Sequence, residues 1–226
     1  MVIISYLIDQ LTIGDKSSFD DFMASLASRK IKMPAKKQIK ETVPFSNKTY
    51  DFSDINGEVY WEERELEYIF EITAETPELL EELKLKFADW IMNIKDEEIH
   101  DPFISDYHFK GTYEDLEFED DEGLDKTTAT VKFLAYPYKI SNIPKIYEIT
   151  VSAGENKKVI LNNESSHRVT AIFETMSGEN IAVKFNDETI SIMSSAQYAF
   201  MINKGITNIN VEGDGVLRIT FSEEVF

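Results

Sequence analysis

The stretch "VKFLAYPYKI", residues 131–140, decides how this chain is divided. Val131, Phe133 and Ala135 fall on one face of an extended segment, and Lys132, Leu134 and Tyr136 fall on the other. That two-residue period is the mark of a β-strand with one face in a core. Pro137 then removes a backbone donor and fixes φ between two tyrosines, so the strand ladder stops there. Residues 141–226 still follow. Tyr136-Pro137-Tyr138 is therefore read as the close of a first domain, 1–143. "SNIPKI", stiffened by Pro144, leads into a second domain, 144–226. A connection this short predicts two domains held in a near-fixed relation.

Upstream, Leu66, Tyr68, Phe70 and Ile72 alternate with Glu65, Glu67 and Glu71, which predicts a half-exposed strand preceded by a hairpin turn at Asn56-Gly57. The period then changes. Thr76 suits a helix N-cap and Pro77 the first helical position, where a missing N–H costs nothing. Leu79, Leu80, Leu83, Phe87, Trp90 and Ile91 recur at three- and four-residue steps, an apolar stripe for packing on a sheet. A second short helix is expected over Ser18 to Leu26, and an alternating hairpin-like pair around Gly111 in "FISDYHFKGTYEDLEFED". The first domain thus reads as α+β, mostly antiparallel strands with one main helix.

Past Pro144 no helical period occurs. Short strands near 146–152, 156–163, 167–175, 179–185, 188–193, 196–202, 206–212 and 215–222 are separated by "AGEN", "SGEN", "FNDE", "NKG" and "EGDG". Such spacing predicts an all-β sandwich of jelly-roll type.

Composition narrows function. The chain has 226 residues, no cysteine and a formal net charge of −19. Disulfides, thiolate metal sites and a cysteine nucleophile are excluded. Residues 1–143 carry 16 basic and 31 acidic residues, and residues 144–226 carry 7 and 11. A surface this acidic repels nucleic acid and anionic lipid, so neither is an expected partner. "VIISYL" at 2–7 is too short to span a bilayer, and with no basic leader before it neither a signal peptide nor a membrane anchor is expected. His100, His108 and His167 lack metal-ligand spacing, "DEEIHD" (96–101) reads as a solvated turn, and "DDEGLD" (120–125) lacks the ligand pattern of a calcium loop. No nucleophile elbow, phosphate loop or dinucleotide fingerprint occurs. Catalytic, cofactor and metal residues are accordingly expected to be none, and the protein is read as not an enzyme. Charge is also segregated along the first domain. "RKIKMPAKKQIK" (29–40) holds six basic residues, and "YEDLEFEDDEGLD" (113–125) holds eight acids and no base. Opposite patches of this kind either stay solvated or meet across copies of one chain, with Lys36 and Lys37 as candidate subunit-interface residues.

Four local features, in order, resemble the N-terminal domain of the phage distal tail protein (Dit) family, a siphophage tail component. They are "IKMPAKKQIKETVPFSNKTYDFSD" (31–54), "VYWEEREL" (59–66), the Trp90 helix followed by "KDEEIHDPFISDYHFKGTY" (95–113), and the closing "FLAYPYKI" (133–140). Many members have Pro-Gly and a second Gly in the turn at 44–48. Here it reads Pro44-Phe45-Ser46-Asn47-Lys48, so Asn47 is the expected positive-φ residue. The matching positions are Tyr60, Arg64, Tyr136, Pro137 and Tyr138, all read as structural. Arg64 is expected to pair with a carboxylate or stack on an aromatic such as Trp61, and the tyrosines to fill the domain junction. The resemblance implies a virion structural protein, made in the host cytoplasm and placed at the tail tip. It implies a homo-hexameric ring of N-terminal belt domains joining the tail tube protein to a baseplate or tail-fibre hub. It also implies a galectin-like C-terminal sandwich projecting outward for host attachment. The rival reading is a carbohydrate-binding module for host cell-wall glycan. Against it, both tryptophans lie in the first domain, and the second offers only Tyr147 and Tyr198 as aromatic platforms.

Overall fold

A computed structural model of the chain describes residues 9–42, 44–45, 47–53, 59–121, 125–185, 188–194 and 196–226. The expected Asn56-Gly57 turn, the "VIISYL" segment and part of "DDEGLD" lie outside the described residues. The chain divides into two compact units, Met1–Lys139 and Ile140–Phe226.

The first unit runs β1 (Thr12–Ile13), β2 (Lys16–Ser17), α1 (Ser18–Phe22), β3 (Ala24–Ile31), β4 (Lys40–Thr42), β5 (Thr49–Asp51), β6 (Arg64–Thr73), α2 (Pro77–Met92), β7 (Glu97–His100), β8 (Tyr107–Asp120) and β9 (Lys126–Ala135). Its main sheet is ordered β2-β1-β7-β8-β9-β6-β3, and every pairing along that path is antiparallel. The alternation in β6 and β9 sends Leu66, Tyr68, Phe70, Ile72, Val131, Phe133 and Ala135 into the core with no exposed surface. Helix α2 covers that face. The Thr76 hydroxyl accepts the Leu79 N–H at 3.3 Å, Pro77 occupies the first turn, and Leu80, Phe87, Trp90 and Ile91 are buried. Leu79 is exposed and does not belong to the stripe. Phe22 stacks on Trp90 at 4.7 Å, and Phe87 meets Phe22, Phe70, Trp90 and Phe118 edge-on. Each such aliphatic or aromatic side chain contributes about 1.5–3 kcal/mol by leaving water.

Three local expectations change here. The helix predicted to Leu26 ends at Phe22, because Met23 turns left-handed (φ 54) and Ala24 and Leu26 pair with Ile72 and Phe70 instead. Gly111 is not a turn but the middle of β8. A Cβ there would sit 3.0 Å from Ile99 Cδ1 and 3.2 Å from the Leu134 carbonyl, so glycine lets β7 and β9 close in on β8. The segment 96–101 is not a solvated turn. It supplies β7 and ends on a buried aspartate, Asp101.

After β10 (Lys139–Ser141), which straddles the division, the second unit holds β11 (Lys145–Asn163), β12 (Val169–Phe185), β13 (Glu188–Met193), β14 (Gln197–Ile202), β15 (Gly205–Phe221) and β16 (Glu224–Val225). The eight short strands expected are, in large part, halves of three long ones. A five-stranded antiparallel sheet has the order β11-β15-β12-β13, with β14 also on β12. Three of the sequences read as turns, "AGEN", "SGEN" and "EGDG", are bends within strands, whereas "NKG" joins β14 to β15. The register shifts between Val151 and Glu155 in β11 and between Gly178 and Ile181 in β12, and both breaks face Gly213–Gly215 of β15. Gly154, Gly178, Gly213 and Gly215 all have positive φ along this line. At the crossing the backbones nearly touch: a Cβ on Gly178 would lie 2.1 Å from the Asp214 oxygen, and one on Gly215 would lie 2.0 Å from that of Ser177. Side chains from both sides of the bend, among them Ile149, Phe173 and Leu217 on one and Leu161, Val183 and Val211 on the other, share one buried cluster. The sheet is therefore bent around a single core.

Candidate functional site

In the described part of the connection from β3 to β6, the two strands continue beyond the main sheet. After Ile31 pairs with Leu66, Lys32 N–H donates to the Glu65 carbonyl at 3.1 Å and Glu62 N–H to that of Ala35 at 2.8 Å. Lys36 bridges Trp61, and Lys37 N–H donates to the Tyr60 carbonyl at 2.8 Å. Further out, Phe52 N–H donates to Ile39, and β4 pairs with β5 from Lys40–Asp51 to Thr42–Thr49. Phe45 in this turn has a positive φ (65). The Ser53 hydroxyl and amide donate to Asp51 and, with Lys40 and Lys36 nearby, hold its carboxyl below its usual value.

This ribbon has no core to bury its apolar residues. Every residue of β4 and β5 is exposed, and Met33, Ile39, Phe45, Tyr50, Phe52, Val59 and Tyr60 all face solvent. Tyr50 and Phe52 stack on each other at 6.4 Å. Four of the six basic residues of 29–40, Lys32, Lys36, Lys37 and Lys40, lie beyond the main sheet, and the Lys37 ammonium makes no hydrogen bond or ion pair among the described residues. Tyr60, Lys36 and Lys37 thus come together at the ribbon's base.

Arg64 sits elsewhere, as the first residue of β6 on its buried face. It is 2 % exposed, and its guanidinium carbon lies 5.5 Å from the centre of the Phe109 ring. The aromatic partner is Phe109 rather than Trp61, and no carboxylate pairs with it: Nε and Nη2 are buried without a hydrogen-bond partner. Burial pushes its pKa down. The buried carboxylate of this unit is already taken. Asp101 accepts from Arg29, from the Tyr68 hydroxyl at 3.2 Å and from the Phe103 N–H at 2.9 Å. Arg29 also lies over the Phe103 ring at 4.7 Å. Burial first, then Asp101, raises the Tyr68 hydroxyl well above its usual value. Lys139 is pushed down by burial and then by the positive charges of Arg64 and Arg29. Pro137 and Tyr138 are buried, whereas Tyr136 is exposed with its ring 5.6 Å from that of Tyr138. Arg29, Tyr68, Asp101, Phe109 and Lys139 carry no spacing pattern. Strand pairing alone brings them together: Arg29 stands opposite Tyr68, and Arg64 lies over Phe109.

The acidic stretch forms the outer half of β8. There β7 pairs with β8 at Phe109–Gly111, and Asp115–Asp120 pair with β9. Lys132 and Lys84 engage Asp115 and Asp120, while the side-chain carboxylates of Glu114 and Glu119 make no hydrogen bond or ion pair among the described residues. Elsewhere, Glu98 lies between His100 (3.4 Å) and His108 (3.8 Å), and among the described residues no group of three or more His, Asp or Glu is placed to hold a metal ion. In the second unit, Tyr147 stacks on Phe221 and Tyr198 on Phe200. A small void there is lined by Phe173, Val183, Phe185, Ile190, Phe200 and Ile202, all apolar. No described helix is long and apolar enough to cross a membrane.

No protein-family model and no curated protein matches the chain. Its fold is that of a Dit-like phage tail protein. The solved structure that carries this likeness is SPP1 Dit (gp 19.1), described as a paradigm of the hub adsorption apparatus in phages infecting Gram-positive hosts. The likeness spans 95% of this chain and 99% of that one, with a TM-score of 0.69 at 10% sequence identity.

Proposed function

We propose that this chain is a structural tail-tip protein: a distal-tail adaptor whose first unit closes into a hexameric ring between the tail tube and a baseplate or fibre hub. Its second unit is a galectin-like module facing outward toward the host. The observation that carries the reading is the ribbon at 32–62, which holds apolar and basic side chains away from any core of its own. An element of this kind gains stability only when another surface covers it. The acidic outer half of β8 is a complementary surface on the same chain, as a heterologous, ring-closing contact requires. The Dit-like fold supports the same placement in the virion. An acidic surplus lining a lumen would let DNA pass without binding, since cations are what hold phosphate.

Negative-stain imaging and sedimentation of the purified chain test this directly. The expected species is a ring with six times the 26.0 kDa mass of one chain. A monomer at every concentration, also in the presence of tube and hub proteins, refutes it. A glycan site would need convergent polar groups around an aromatic platform.

A further inference from the structure

Among the described residues of the first unit, Arg64 is the one with buried side-chain nitrogens that find no hydrogen-bond partner. A guanidinium presents five donors and stays charged, so burying it is unfavourable unless carboxylates or carbonyls meet it. Here Nε and Nη2 are buried with no acceptor, and the face of Phe109 meets the charge but accepts no N–H in the guanidinium plane. The buried carboxylate in the unit, Asp101, already accepts from Arg29, Tyr68 and the Phe103 amide. The positive charges of Arg29 and Arg64 both act on Lys139, which is half-buried and makes no hydrogen bond or ion pair among the described residues. A buried guanidinium without an acceptor stands out in a chain whose net charge is −19.

We propose that Arg64 is a binding site for a carboxylate group. The planar fork of Arg64 takes the two oxygens side by side, the arrangement in which arginine outperforms lysine. The abundant source of such a group is the acidic side chain of a second copy, for which Glu114 and Glu119 are unpaired donors of carboxylate. That source rests on the ring reading above, whereas the site itself does not.

The test has two arms on the full chain. In the first, thermal unfolding is followed in sodium acetate against sodium chloride at equal ionic strength. The wild type should gain a saturable rise of roughly 2–4 °C in acetate. Arg64→Met should lose the rise, and Arg64→Lys, which keeps the charge without the fork, should retain only part of it. Equal response to both salts, or an acetate effect that survives in both variants, means an adventitious ion only and overturns the site. In the second arm, sedimentation is measured over the same acetate range. Wild-type assembly weakened by acetate, with Arg64→Met at least tenfold weaker in assembly, identifies the carboxylate as a second copy's. Assembly indifferent to acetate and to both variants, with the thermal effect intact, keeps the site, identifies a free carboxylate as its ligand and leaves the ring reading to its own test.

Discussion

Replacing Gly178 with alanine isolates the bend that shapes the second unit. Gly178 sits at φ +93, and a Cβ there would lie 2.1 Å from the Asp214 carbonyl oxygen, a backbone atom that no side-chain rotation can remove. Gly154 lies on the same line of bends at φ +83 with nothing within 4 Å of an added Cβ. The pair separates two effects. Gly154→Ala meets only the left-handed strain of an L-residue, about 1–2 kcal/mol. Gly178→Ala meets that strain and must also push β12 from β15, which adds about 1–3 kcal/mol of overpacking. The sum, roughly 2–5 kcal/mol, is a large share of the 5–15 kcal/mol that holds a typical domain. Urea unfolding followed by far-ultraviolet circular dichroism reads the difference. Gly178→Ala should lower the midpoint clearly further than Gly154→Ala, and Gly215→Ala, with its 2.0 Å approach to Ser177, should behave like Gly178→Ala. Equal midpoints for Gly154→Ala and Gly178→Ala would refute the claim that the strands touch at the bend.

Reversing Lys36 and Lys37 to Glu should leave the melting temperature within about 1 °C but weaken assembly and flatten its salt dependence; rings unchanged at low salt would remove the ribbon's charge from the account. Thr76→Ala should cost about 1 kcal/mol in urea unfolding, because the Leu79 N–H loses its acceptor. Tyr68 carries a raised hydroxyl pKa, so the unfolded chain releases that proton first, near the usual 10.0, while the folded chain keeps it. Its contribution is complete below pH 10.0 and declines as pH rises from there through the higher folded value. Tyr68→Phe should remove this alkaline slope, and a stability profile of the same slope above pH 10.0 in both proteins would contradict it.

Strand alternation made β6 and β9 legible, because the two faces of a half-buried sheet meet different solvents and the residues must differ accordingly. Thr76-Pro77 and the spacing of Leu80, Phe87, Trp90 and Ile91 revealed α2 for the same kind of reason, a cap and one buried stripe being local demands. Glycine proved ambiguous. Its permissive backbone serves a turn, a bend inside a strand or a close approach, and only the neighbouring strand distinguishes them. "AGEN", "SGEN" and "EGDG" became a line of bends, and Gly111 became a contact for Ile99. Among the residues of interest, Lys36, Lys37 and Tyr60 were visible as a basic, aromatic stretch, yet only pairing across 32–62 turned that stretch into a ribbon without a core. The partner of Arg64 lay further still from view: Phe109 is distant in sequence, and Asp101 was drawn to Arg29 and Tyr68 by the order of strands. The sequence by itself determined which faces avoid water, where the main helix starts, and that acid outweighs base. Tertiary structure alone decided which strands run on through their glycines and which buried charge stays unpaired. Both depend on distances between residues far apart along the chain, and no local pattern encodes those.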